Sequence, residues 1–240
     1  MKSLFKKLLI ASTFLAIIPG YLLYNGYIAF NNPKAEKFPV KGIDVSAYQD
    51  NIEWEEVRND GIKFAYIKAT EGKDFSDNMF AVNWENAKRA GIRRGAYHFF
   101  TFGSLGTEQA EHFVKVVPNE IDSLPPVIDI EFDGNSSKIP GKELLRKELR
   151  DFIYQIESNY NRKPILYVTY AAYEAYLMGD FEDFSIWIRD VVKFPKLKDN
   201  REWLFWQYNN RGRVKGISEF VDLNVYNGNE LGFDELILRN

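Results

Sequence analysis

No cysteine occurs anywhere in the 240 residues, so the fold rests on neither disulfides nor a thiolate metal site, and thiol chemistry carries no information on compartment. Histidine is nearly as scarce. His98 and His112 are the only two, too few for a histidine-rich metal centre, and no metal or other cofactor is expected. An excess of basic charge is also missing. The formal net charge is -3, and residues 1–40 carry five Lys and one Glu, which leaves the remainder at -7. An acidic domain of that kind argues against nucleic acid as its partner. What the chain has instead is 45% apolar and 16% aromatic residues, enough for one large domain with a substantial core.

The one long hydrophobic run lies near the N-terminus. Lys2, Lys6 and Lys7 precede Leu8 to Phe30, 23 residues without charge and with only Ser12, Thr13 and Asn25 as strongly polar interruptions. As a helix this run spans about 34 Å, sufficient for a bilayer core of about 30 Å. A secretory signal peptide is shorter and ends in a small-residue cleavage site. No Ala-x-Ala pattern follows here, so an uncleaved anchor is expected, with Pro19-Gly20 as the feature that favours a signal helix. The lysines place residues 1–7 in the cytoplasm and the C-terminal domain outside it. The expected organisation is a basic stub (1–7), a transmembrane anchor or signal segment (8–30), a polar linker (31–39) and a catalytic domain (40–240). The expected location is the cell envelope, or secretion if the segment is cleaved.

From Lys41 a regular alternation begins. Strands are expected at 41–46, 63–70, 93–100, 127–132 and 165–169, with helices near 54–59, 79–90, 107–117 and 172–177. The clearest helix carries Leu145, Leu149, Phe152, Ile153, Ile156 and Tyr160 at spacings of three and four. Segments near 184–188, 203–208 and 221–225 read as strands joined by loops. Repeated strand and helix units imply parallel strands covered by helices. About eight strands over some 200 residues suggest a closed α/β barrel of the TIM type, with its chemistry on the C-terminal rim. Asp44, Lys68, Thr70, His98, Asp129, Glu131, Tyr167, Trp187, Gln207 and Asp222 fall in or at the ends of these strands. In the second strand the alternation sends Tyr66, Lys68 and Thr70 inward, and a buried Lys68 requires a carboxylate, with Asp129 or Glu131 within reach.

The stretch Pro125 to Gly134 carries the strongest chemical signal. Alternation puts Val127, Asp129 and Glu131 on one face and Ile128, Ile130 and Phe132 on the packed face. Two carboxylates spaced in this way lie about 6.5 to 7 Å apart along a strand, within the range used to cleave glycosidic bonds. An isolated Asp-x-Glu is also common at charged strand ends, so the surrounding residues decide.

Gly42-Ile43-Asp44-Val45-Ser46 with Tyr48-Gln49 and Trp54, then Lys68-Ala69-Thr70-Glu71-Gly72, Gly95-Ala96-Tyr97-His98-Phe99, Asp129-Ile130-Glu131, Trp206-Gln207-Tyr208 and Val221-Asp222-Leu223-Asn224 resemble, in order, the motifs of glycoside hydrolase family 25 lysozymes. The resemblance covers roughly residues 41–233. It implies an irregular barrel of five β/α units followed by helix-poor strands, and cleavage of the β-1,4 bond between N-acetylmuramic acid and N-acetylglucosamine in peptidoglycan. It makes Glu131 the general acid and Asp129 its partner, with Asp44 and Asp222 as two further cleft acids. One place departs: where the family commonly has Trp-Ile-Ala and an aromatic, this chain has Trp187-Ile188-Arg189-Asp190.

An acid that protonates a glycosidic oxygen at neutral pH needs a raised pKa, which burial and a neighbouring carboxylate both supply. Tyr48, Tyr97, Tyr167, Trp187 and Trp206 are candidates to stack on sugar faces, with Lys68 and Gln207 as polar contacts. His98 is counted with this set, although hydrogen bonding within the structure is its plainer reading. His112 reads as a bystander and Asp133 as a turn residue. The expected partners are peptidoglycan strands and, through the N-terminal helix, the membrane; the expected state is a monomer. Two other readings compete. A chitinase-like hydrolase would need an Asp where Val127 stands, and a non-catalytic peptidoglycan-binding barrel has no use for all four acids.

Overall fold

The computed structural model describes residues 17–28 and 31–238. Its strands are β1 (Lys41–Val45), β2 (Phe64–Glu71), β3 (Phe75–Ser76), β4 (Arg93–Phe99), β5 (Val127–Ile130), β6 (Ile165–Val168), β7 (Ile186–Arg189), β8 (Phe205–Gly212) and β9 (Val221–Tyr226). Without the two-residue β3, which folds back on the end of β2, eight strands close into a barrel. The chain from β1 through β2, β4, β5, β6 and β7 to β8 is parallel throughout. β9 closes the ring antiparallel to both β8 and β1. That reversal matters for the site, because it brings the first residues of β9, rather than the last, to the rim where the other strands end.

The helices are α1 (17–24), α2 (Trp54–Asn59), α3 (Phe80–Arg89), α4 (Gly106–Val116), α5 (Lys142–Tyr160), α6 (Tyr170–Ala172), which widens into a π turn over Tyr173–Leu177, and α7 (Glu230–Leu238). One helical segment therefore follows each of the first five barrel strands, and none separates β7, β8 and β9. This is a TIM-like arrangement that loses its helices in the second half. α7 was not expected from the sequence. It closes the bottom of the barrel, where Phe233 packs on Phe64, Phe205 and Tyr226 with centroids 5.4, 6.5 and 5.4 Å away.

Alternation along each strand produces two cores. Ile43, Ala65, Ile67, Ile128, Ile130, Leu166, Ile186 and Ile188 face the helices. Phe64, Tyr66, Val127, Tyr167, Trp187 and Phe205 fill the barrel. Such large rings fit only because two strand positions carry no side chain. A Cβ on Gly42 would sit 2.4 Å from the Phe64 ring, and one on Gly95 would sit 2.3 Å from the Tyr66 ring.

The alternation breaks within β2. Lys68 pairs with Tyr97, but the next matched pair is Thr70 with His98, so Ala69 is an extra residue and Thr70 turns to the helix side. The inward orientation expected of Thr70 is corrected accordingly: its hydroxyl bonds His98 Nδ1 at 2.7 Å.

The stub 1–7 and residues 8–16 and 29–30 of the expected span lie outside the described residues. Among the described residues no helix is long and apolar enough to cross a membrane. The visible end of the run is helical over 17–24 and then turns. Arg211 Nε donates to Tyr24 O and Arg213 Nε to Asn25 O, both at 2.7 Å, which fixes this turn against the β8–β9 hairpin.

Candidate active site

The rim carries a cleft of about 360 Å³ lined by Asp44, Asp129, Glu131, Asp222, Tyr97, Tyr167, Trp187, Arg189, Gln207 and their neighbours. Register assembles it. Asp44 stands opposite Asp222 across the antiparallel β1–β9 pair, Asp129 beside Tyr167, Tyr167 beside Trp187 and Arg189 beside Gln207. All four acids read from the sequence therefore line one cleft.

Asp129 is the last inward residue of β5, and Glu131 is the first residue past the strand. The chain turns there around Asn135. Its side-chain amide donates to Phe100 O and Glu131 O at 2.9 and 3.0 Å while its oxygen accepts Phe102 N at 2.8 Å. Gly134 supplies the left-handed residue of the turn, with φ +80. Asp133 sits in this turn, as expected, and also lines the cleft.

The four carboxyls differ in their partners. Asp44 Oδ2 accepts hydrogen bonds from Asn224 Nδ2 at 2.7 Å and Gln207 Nε2 at 3.1 Å. These donors are themselves fixed, since Asn224 accepts from Trp187 Nε1 and Gln207 from the Tyr167 hydroxyl, both at 2.9 Å. Burial raises the Asp44 pKa, and those two donors oppose the rise. Asp222 is pushed well above the ordinary carboxylate range by burial and then by the Asp44 charge, so of this facing pair Asp222 is the one that keeps a proton. Burial, then Glu131 and Asp44, hold Asp129 well above the usual range as well. Its Oδ1 is buried without a hydrogen-bond partner among the described residues. Glu131 is pushed up to about 7, by burial first, with Arg189 pulling the other way.

Four residues expected in the cleft lie elsewhere, for reasons of strand geometry. Trp206 follows Phe205 and precedes Gln207, both of which point inward, so it faces out. It is 1% exposed, packs near Phe38 and Trp203, and donates Nε1 to Asp190 O at 2.8 Å. His98 is turned outward in the same way beside inward Tyr97. It is fully buried, stacked on Phe152 at 4.8 Å, and bonded to Thr70 and to Gln109 Oε1 at 3.1 Å; burial lowers its pKa to about 3, which keeps the ring neutral. Lys68 does face inward, but its partner is Glu71 Oε2 at 2.7 Å rather than Asp129 or Glu131. Tyr48 stands in the turn after β1 at 67% exposure, outside the cleft wall.

Asn224, Asn210, Asp133 and Arg189 are the residues that sequence reasoning did not assign to the site. Asn224 lies two residues after Asp222 on the same strand face, so the alternation that selects Asp222 also selects it. Asn210, in the irregular part of β8 where register shifts occur, carries no such signal.

Comparison with known proteins agrees with this geometry. The sequence model of the family Glycosyl hydrolases family 25 matches residues 43–217. A family 25 glycosyl hydrolase structure from Bacillus anthracis is 44% identical, with a TM-score of 0.81 over 85% of this chain and 95% of that one. Lysozyme M1 of Streptomyces globisporus is 36% identical over 81% of this chain and 70% of its own length. The protein YegX of Escherichia coli O157:H7 is 35% identical over 89% of this chain and 80% of its own.

Proposed function

The chain belongs to glycosyl hydrolases family 25, and on that premise we propose that it is a lysozyme that cuts peptidoglycan at the β-1,4 bond between N-acetylmuramic acid and N-acetylglucosamine. The observation that carries the reading is Glu131, a half-buried carboxyl pushed up to about 7 in a cleft of acids. At and below neutral pH a large share of it keeps a proton, which it can pass to the leaving glycosidic oxygen. Asp129 is its partner. A buried carboxylate oxygen with no protein donor is suited to accept the N–H of the substrate's acetamido group. That hold directs the acetamido carbonyl at the anomeric carbon, as in the substrate-assisted exceptions to two-carboxylate hydrolysis. We therefore propose net retention through an oxazolinium intermediate, with no sugar–enzyme ester. Tyr97, half-buried on the cleft wall, supplies an apolar face for a sugar ring over the buried Trp187, and Asp44 and Asp222 line the same cleft.

Purified cell walls treated with the protein are expected to lose turbidity, and mass analysis of the fragments should place muramic acid at the new reducing ends. Glucosamine at those ends would favour another glycosidase. Binding to walls without any release of fragments would favour a non-catalytic barrel.

The location follows from the substrate, which lies outside the cytoplasmic membrane. The uncharged run Leu8 to Phe30 behind three lysines supports an anchor with the barrel outside. On fractionation the intact chain is expected with the membranes. Recovery from the medium with a trimmed N-terminus would overturn the anchor and leave a secreted enzyme.

A further inference from the structure

Of the residues that line the cleft, Asp44, Asp129, Glu131, Asp133 and Asp222 are acids, and Arg189 is the one cation among them. Arg189 closes β7 two residues after Trp187, and alternation sends both side chains into the barrel mouth while Ile188 packs under the helices. Its charge reaches Asp44, Glu131 and Asp222, whose pKa values it lowers. Yet it makes no ion pair with any of them. Elsewhere the chain's half-buried and buried arginines find acceptors: Arg146 pairs with Asp180 and Arg94 with Asp122, both at 3.3 Å, and Arg162, Arg201 and Arg211 donate to backbone carbonyls. Arg189 thus holds a planar fork of donors in the cleft, attracted by the surrounding acids but not occupied by one.

A guanidinium in that state fits a planar carboxylate bidentately. The substrate class proposed above supplies one. Muramic acid differs from glucosamine by a lactyl ether on C3, which ends either in a free carboxylate or in a stem peptide that carries carboxylates of its own. We infer that Arg189 is a specificity-determining residue whose guanidinium binds a carboxylate borne on the lactyl arm of the muramoyl residue. The inference rests on the lysozyme reading. It also distinguishes this chain from the family it resembles, in which an alanine commonly occupies this position and offers no charge.

The rival role for Arg189 is to balance the charge of the acids. The two roles separate by their dependence on the ligand. Charge balance acts through the titration of Glu131 whatever the ligand carries, whereas recognition acts only on ligands with a carboxylate.

The test uses the full chain with Glu131→Gln to stop turnover, and calorimetric binding of three muramoyl glycan oligomers. One has free lactyl carboxylates, one has them converted to methylamides, and one bears acidic stem peptides. Adding Arg189→Gln is expected to weaken binding about 10- to 100-fold for a carboxylate-bearing oligomer, and by no more than about twofold for the neutral methylamide. Loss with the free lactyl oligomer assigns that carboxylate, and loss confined to the peptide-bearing oligomer assigns the stem. Arg189→Lys, which keeps the charge without the fork, should recover part of the loss. Equal losses on all three oligomers would overturn the inference, as would no loss on any, or a shifted pH profile of the active Arg189→Gln enzyme without ligand dependence. Failure of the unmodified chain to cut muramoyl glycan would instead overturn the lysozyme reading itself.

Discussion

Glu131→Gln is expected to lower turnover about 100- to 10,000-fold, the usual worth of general acid catalysis, while the affinity for glycan stays within a few-fold. Gln keeps the shape and the hydrogen-bonding oxygen of the side chain and removes only the proton that the leaving oxygen needs. The same group sets the alkaline limit of activity. With its pKa pushed up to about 7, Glu131 loses the catalytic proton as the pH rises through that value, and activity should fall there. The sign for stability follows from proton binding. Between 4.5, the ordinary value, and about 7, the folded chain holds a proton that the unfolded chain has released, so stability declines as the pH rises across that window. Above it the folded chain carries a buried charge that Gln lacks. Glu131→Gln should therefore be more stable than the parent at pH 8, by on the order of 2 kcal/mol, and this gain should vanish below about pH 4.5. Chemical denaturation at pH 5 and pH 8 together with turnover at neutral pH measures all three effects. Near-normal turnover would move the general acid to Asp222, another cleft carboxyl that burial holds well above the ordinary range.

The strand and helix order, the barrel and the Asp129–Glu131 pair were legible in the sequence because each rests on a local pattern, whereas Asp44 and Asp222 came with the family resemblance. Val127, Asp129 and Glu131 declare a shared face by alternation alone, and Leu145 to Tyr160 declare a helix by period. The misplaced residues show where local reading was applied unevenly. Trp206 and Gln207 are adjacent, as are Tyr97 and His98, and neighbours in a strand cannot both face the barrel interior. Applying to strands three and seven the rule that sorted strand four removes His98 and Trp206 from the cleft. Thr70 is a different case. Its reversal depends on one extra residue at Ala69, a bulge that follows from how β2 meets β4 and leaves no mark in the composition of either strand. Lys68 finds its carboxylate not across the barrel but three residues along the same chain, in Glu71. The direction of β9 was not legible either. In a parallel strand Asp222, near the start, would lie at the bottom; only the antiparallel entry of β9 brings it up to face Asp44.

Asp129→Asn is the second substitution with a large expected effect, a fall in turnover of about 100- to 1,000-fold, the range for removing a preorganised electrostatic contact from the transition state. The argument starts from the unpaired Oδ1 of Asp129. A protein seldom buries a carboxylate oxygen without a donor, and on the proposed route the acetamido N–H of the substrate supplies the missing one. As the acetamido oxygen closes on the anomeric carbon, positive charge spreads onto the nitrogen held by Asp129, and the attraction strengthens as the transition state forms. Asn retains the volume and an acceptor but not the charge, so binding should change little while turnover falls. The loss should be as severe on substrates with good leaving groups, for which Glu131→Gln should be partly rescued, because ring closure, which expels the leaving group in the same step, does not depend on its protonation in that limit. Two inversions at the anomeric carbon return its starting configuration, so proton NMR of the first-formed reducing end should show the β-anomer. An initial α-anomer would assign Asp129 or one of the Asp44–Asp222 pair as a base that activates water. A glycosyl ester trapped on Asp129 would make it a nucleophile, and either outcome would replace the oxazolinium route.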